Sequence, residues 1–170
     1  MKNKTVTALY ETVGVKSFAK ELELEIVYEG RGEMTLSSIS VSRPGLLLSG
    51  YYEHFDNTRI EVMGHAESEY VAAQNPERRM QVLDELFKRD IPCLIISRNL
   101  DFPEETIALA QKYKCPLFRS PKITTVLIND VTAYQSELLA PTEVVHGVLM
   151  DVSGIGILIT GKSGVGKSEI

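Results

Sequence analysis

Residues 155–160, Ile-Gly-Ile-Leu-Ile-Thr, run straight into Gly161-Lys162-Ser163-Gly164-Val165-Gly166-Lys167-Ser168. This is an apolar strand feeding the pattern G-x-x-x-x-G-K-[ST], a phosphate-binding loop. The alternative, a glycine-rich turn before a helix, requires neither the lysine nor the preceding strand. Gly161, Gly164 and Gly166 let the backbone curl so that successive N–H groups point at phosphate oxygens. The positive end of a following helix adds to that field. Lys167 brings a mobile cation to the β and γ phosphates, and Ser168 offers a hydroxyl to Mg²⁺, a hard cation that takes few protein ligands. Residues 161–168 are therefore read as the nucleotide cradle.

Upstream, the punctuation is that of alternating strands and helices. Ser17–Leu24 places Phe18, Ala19 and Leu22 on one helical face, and residues 29–32, Glu-Gly-Arg-Gly, read as a turn. Residues 34–41 alternate as a strand with Leu36, Ile39 and Val41 as apolar points, broken by Arg43-Pro44-Gly45. Leu46-Leu47-Leu48 reads as a short buried strand, and Arg59–Met63 as another, ended by Gly64. Asn75-Pro76 opens a helix, an N-cap followed by proline at the first helical position. Met80, Leu83, Leu86 and Phe87 follow at helical spacing. Cys93–Ile96 and Pro116–Phe118 read as buried strands, and residues 101–104 resemble a capping box. Ile123, Leu127, Val131, Tyr134 and Leu138 step along one face of a long helix that Ala140-Pro141 ends. The pattern argues for an α/β domain with a largely parallel sheet and flanking helices. A domain covering residues 1–130 with its linking helix is expected, then the opening strands and loop of a second, covering 131–170.

Lys plus Arg number 18 and Asp plus Glu 23, a net charge of −5, which excludes a nucleic-acid binder working through bulk charge. The N-terminus lacks the apolar core of a signal peptide, and no apolar run approaches the ~20 residues of a membrane helix. A cytoplasmic protein that contacts neither membrane nor nucleic acid is expected. Cys93 and Cys115 fit no zinc or disulfide pattern and read as buried apolar thiols. His54 and His65 read as surface or structural residues, and Asp151 as a strand-end or turn residue. His146 lies on the apolar segment before the loop. By position alone it is either a satisfied core histidine or a site residue.

The stretch from His146-Gly-Val-Leu-Met-Asp151 through Gly161-Lys-Ser-Gly-Val-Gly-Lys-Ser-Glu169 resembles HPr kinase/phosphorylase. Residues 42–52, Ser-Arg-Pro-Gly-Leu-Leu-Leu-Ser-Gly-Tyr-Tyr, agree with this. So do residues 59–64, Arg-Ile-Glu-Val-Met-Gly, residues 91–96, Ile-Pro-Cys-Leu-Ile-Ile, and Leu139-Ala-Pro141. The loop alone indicates only an NTPase; His-Gly at that distance before a loop ending in Ser-Glu is far more specific. The resemblance implies an N-terminal α/β domain, a C-terminal kinase domain and hexamers. The implied activity transfers the γ-phosphoryl group of ATP to a serine of the phosphocarrier HPr. It also removes that group with inorganic phosphate, making pyrophosphate, and so regulates bacterial carbohydrate uptake and catabolite repression. Carried onto matching positions, Gly161–Ser168 bind ATP, Ser168 meets Mg²⁺, and His146 and Lys167 belong to the active site.

One departure limits the carry-over. The family places a general-base Asp and a second acidic Mg²⁺ ligand after the loop, and two residues follow Ser168 here. The sequence thus reads as a truncated enzyme, inactive alone. Two alternatives stay open: a non-catalytic N-terminal regulatory or oligomerisation module, and an unrelated P-loop NTPase or small-molecule kinase.

Overall fold

A computed structural model describes residues 10–141 and 147–160. The chain divides into two compact units, Met1–Ala140 and Pro141–Ile170.

In the first unit, β1 (Glu11–Gly14) leads directly into α1 (Val15–Leu22). Val15, Phe18, Ala19 and Leu22 are buried, as the helical spacing requires. The helix stops at Glu23, whose left-handed backbone (φ 56°) lets the next N–H, of Leu24, return to the Ala19 carbonyl at 2.8 Å. Then come β2 (Glu25–Tyr28), β3 (Glu33–Leu36), β4 (Val41–Ser42), α2 (Gly45–Leu48), β5 (Ile60–Met63), α3 (His65–Ala72) and α4 (Pro76–Phe87). The unit closes with β6 (Leu94–Ile96), α5 (Glu104–Tyr113), β7 (Leu117–Arg119) and α6 (Thr124–Leu138).

Among the described residues, a five-stranded sheet runs in the order β2-β7-β6-β5-β4. The pairs β4–β5, β5–β6 and β6–β7 are parallel, and β2 is an antiparallel edge strand on β7. This is the largely parallel α/β sheet expected from the sequence. Its pleat divides the core. Ile60, Val62, Cys93, Ile95 and Phe118 join Phe18, Leu22, Leu127 and Val131 of α1 and α6. Their neighbours Met63, Leu94, Ile96 and Leu117 join Leu47, Leu83, Leu86, Phe87 and Leu109 from the other helices. Successive strand residues face opposite sides, so both faces must be apolar when helices cover both. Both cysteines are buried and free.

Several local expectations are corrected. Leu46–Leu48 belong to a helical turn, with Leu48 N–H bonded to the Pro44 carbonyl at 2.8 Å, and Leu46 is 70% exposed. A run of three apolar residues cannot by itself separate strand from helix. Residues 34–41 are not one strand: β3 pairs antiparallel with β1 in a separate ribbon, and β4 joins the main sheet. Ile39, between them, is exposed. Helix α5 starts at Glu104 behind Pro103 without a side-chain cap, so residues 101–104 form no capping box. Met80, expected on the buried face of α4, is 40% exposed, and Val82 is buried instead. Asn75 does cap α4, accepting the Arg78 N–H at 2.8 Å.

Candidate functional site

The second unit contains β8 (Gly147–Val152) and β9 (Ile155–Thr160), an antiparallel hairpin. Its two-residue turn, Ser153-Gly154, has positive φ at both positions (57° and 82°). That backbone twists with the strands it joins. The Asp151 carboxylate accepts the Gly154 N–H at 2.8 Å, so Asp151 supports the turn. From Val152 opposite Ile155, the ladder runs in register to Gly147 opposite Thr160.

The open end of this hairpin frames the expected site. His146 is the residue before Gly147, and Gly161 the residue after Thr160. His146 and the cradle residues Gly161, Lys162, Ser163, Gly164, Val165, Gly166, Lys167 and Ser168 themselves lie outside the described residues. Gly147 is demanded by its surroundings: a Cβ there would lie 2.7 Å from the Ile159 carbonyl oxygen and 3.1 Å from a Leu158 methyl. The glycine of the His146-Gly147 pair therefore has a packing reason. The hairpin also exposes Leu149, Val152, Ile155, Ile157 and Leu158.

In the first unit, the carboxyl ends of the parallel strands gather polar side chains. Arg43, just beyond β4, donates to Glu67 Oε2 of α3 at 2.7 Å, and that oxygen also accepts the Gly64 N–H at 3.0 Å. Ser97, just beyond β6, donates to the Met63 carbonyl (3.2 Å) and shares a 2.8 Å hydrogen bond with the Thr124 hydroxyl. Burial pushes the Glu67 carboxyl upward, but its bonds from Arg43 and the backbone outweigh this and hold it below the usual range. Arg43, Glu67, Ser97 and Thr124 each make at least one hydrogen bond within this cluster, and Arg43 stays half exposed. From β4 to β7 each parallel strand is laid beside the last in one direction. The reversal of strand order that opens a ligand crevice in many α/β sheets is thus missing from that run. His65, at the start of α3, is exposed, with Nδ1 3.1 Å from Glu69; His54 is exposed too. Among the described residues no cluster of three or more His, Cys, Asp or Glu could hold a metal ion. No helix among them is long and apolar enough to cross a membrane.

Buried acids are what the sequence reading missed here. Glu61 and Glu67 are 0% and 7% exposed. Glu61 lies in a four-residue strand whose residues are all buried. Glu67 lies on a helix with no marked apolar face. The signal available for Glu67 was its position three residues after Gly64, within reach of the helix start.

The fold and hairpin define the class: an α/β unit followed by a strand pair leading into a phosphate-loop sequence. Comparison with known families agrees. The model for the HPr serine kinase N terminus matches residues 13–134, and that for the HPr serine kinase C-terminal domain matches residues 137–170. The chain belongs to the HPr serine kinase family. It is 45% identical over 158 residues to the HPr kinase/phosphorylase of Peptoclostridium acidaminophilum, covering 92% of this chain and 51% of that protein. The HPr kinase/phosphorylase of Alkaliphilus metalliredigens is 42% identical over 160 residues, 94% of this chain and 52% of its own. The chain spans about half the length of the curated relatives it matches. Among solved structures, the CBS and DRTGG domains of the regulatory region of Clostridium perfringens pyrophosphatase match with a TM-score of 0.49. Identity there is 16%, over 70% of this chain and 46% of the other.

Proposed function

We propose that these residues belong to a bifunctional enzyme that phosphorylates a serine of HPr with ATP and removes the phosphoryl group with inorganic phosphate. Such an enzyme works in the cytoplasm and controls carbohydrate use and catabolite repression. The observation that carries this reading is the G-x-x-x-x-G-K-S sequence placed directly after β9, in a chain whose two halves match the two HPr kinase domain models.

In this reading residues 1–130 form the N-terminal domain and 131–170 open the kinase domain. ATP lies in the 161–168 cradle, where the chemistry of backbone N–H groups, Lys167 and Ser168 fits a nucleotide phosphate with Mg²⁺. Lys167 spreads its charge over the transferred phosphoryl group, whose transition state is stabilised chiefly by position and charge. The hairpin register supports placing His146 beside the cradle, where an imidazole positions phosphate or moves a proton. A serine hydroxyl needs a base to take its proton, and no residue of 161–168 is one. The family also assembles as hexamers, and this chain is expected to self-associate.

The test incubates a full-length protein carrying residues 1–170 with HPr, ATP and Mg²⁺. Mass spectrometry should find one phosphoserine on HPr. Phosphate added afterwards should release it as pyrophosphate. Phosphorylation of a small metabolite with HPr untouched would overturn the proposal.

A second reading concerns residues 1–130 alone. The internally bonded polar cluster and the core of the first unit, which α6 completes, favour a regulatory or oligomerisation module. Self-association without nucleotide, measured by light scattering, supports it; a strict monomer removes it.

A further inference from the structure

Glu61 occupies the middle of β5 and is 0% exposed. Neither carboxyl oxygen has a hydrogen-bond partner. The pleat turns it toward the same face as Met63, which packs with Leu47, Leu48, Leu86, Phe87 and Leu94. Its register partners are Ser42 on β4 and Leu94 on β6. The Ser42 hydroxyl meets neither oxygen in hydrogen-bonding geometry. Charge around it is sparse. Arg59, two residues earlier on the chain, is committed to Asp56 at 3.0 Å. Helix α2, Gly-Leu-Leu-Leu, carries no titratable group, and α4 turns Val82, Leu83, Leu86 and Phe87 inward. On β6 its neighbour Leu94 is apolar, and the Cys93 thiol, just before β6 and on the opposite face of the sheet, is held protonated by burial.

An ionised carboxylate without partner or water is among the costliest groups a core can hold, whereas the protonated acid is tolerated. We propose that Glu61 is a proton-operated latch for the edge of the sheet: protonated, it keeps β4 docked on β5, and ionised, it drives β4 away to admit water. The opening falls on β4 because that strand is two residues long and lies at the edge, paired only through Val41–Ile60 and Ser42–Glu61. The next residue is Arg43, which holds Glu67 and through it the start of α3. Loss of the Glu61 proton is thereby coupled to the strand-end cluster.

Burial raises the Glu61 carboxyl from 4.5 to about 7; the neighbouring Ser42 hydroxyl, which approaches it without completing a hydrogen bond, and the Arg59 charge oppose the rise, and Asp56 adds to it. The sign follows from that direction. A group whose folded-state value lies above its unfolded one stabilises the fold below 4.5, and that contribution is lost as pH rises through about 7. Ordinary buried carboxylates with paired charges behave the opposite way.

The test compares the chain with Glu61→Gln, which copies the protonated acid in shape and cannot ionise. Denaturant unfolding is followed from pH 5 to pH 8, with backbone hydrogen exchange at β4 and β5 read at matched pH. The wild type should lose on the order of a hundredfold in its folding equilibrium relative to Glu61→Gln across that range. The excess exchange should concentrate on residues 41–43 and 60–62. A carbon-13 label on the glutamate carboxyls should show one group titrating near neutrality that is absent from Glu61→Gln. Parallel stability profiles for the two proteins, or no carboxyl titrating above pH 6, would overturn the proposal. A lost contribution with exchange spread evenly over the fold would refute the latch while leaving the buried acid.

Discussion

Gly147 and Thr160 face each other on the last rung of the β8–β9 ladder, so the chain enters and leaves the hairpin at one end. A residue one position from a rung lies about 3.8 Å from it, Cα to Cα. The pairing therefore ties His146 and the first glycine of the phosphate-loop sequence to a common anchor, fifteen positions apart in sequence though they are.

That anchor is sensitive to one atom. Gly147→Ala puts a methyl group 2.7 Å from the Ile159 carbonyl oxygen, and a backbone atom cannot turn aside as a side chain can. The expected cost is about 1–3 kcal/mol, the range for an overpacked site. Hydrogen exchange at Val148 and Ile159 should rise in Gly147→Ala. Unchanged exchange would mean that the close approach is absorbed elsewhere.

The Arg43–Glu67 pair should reveal itself in acid. Burial raises the Glu67 carboxyl, but the bonds from Arg43 and the Gly64 N–H prevail and leave it below 4.5. A depressed folded-state value means that the pair's stabilisation is present above pH 4.5 and lost as pH falls through the lower value. Glu67→Gln keeps the shape and gives up the charge. It should cost about 1–3 kcal/mol at pH 7, the range for a charge-assisted hydrogen bond. The deficit should shrink toward zero as the unfolding midpoints of both proteins are followed into acid.

Phe18 joins helix to helix across one face of the sheet. Its ring lies 5.4 Å from Phe118 on β7 and 5.3 Å, edge-on, from Tyr134 on α6. It is fully buried. Phe18→Ala should cost about 3–5 kcal/mol. Denaturant titration of the chain measures this, and a cost below about 1 kcal/mol would show that the neighbouring helices close the gap.

How much of this was legible depended on whether the cause was local. Asn75-Pro76 marked the start of α4 because cap and first turn lie within four residues. The strand before the phosphate loop was legible because an apolar run stops at glycine. Strands β1 and β2 were not foreseen. Their residues alternate poorly, and each exists because a distant partner, β3 or β7, supplies its hydrogen bonds. Helix α3 was missed as well, since its start depends on the Glu67 side chain reaching back to the Gly64 N–H. The buried state of Glu61 was invisible for the same reason: strands and helices on either side bury it, and its immediate neighbours in sequence do not reveal them. Of the site, the residue types and the spacing came from the motif, while the common anchor came from the hairpin register.

The most direct test of the central claim is Lys167→Ala in a full-length protein carrying these residues, assayed in both directions with HPr. The account predicts that ATP-dependent phosphorylation and phosphate-dependent dephosphorylation are lost together, with the unfolding midpoint unchanged. Survival of either activity at the wild-type rate would contradict a single phosphate cradle serving both reactions.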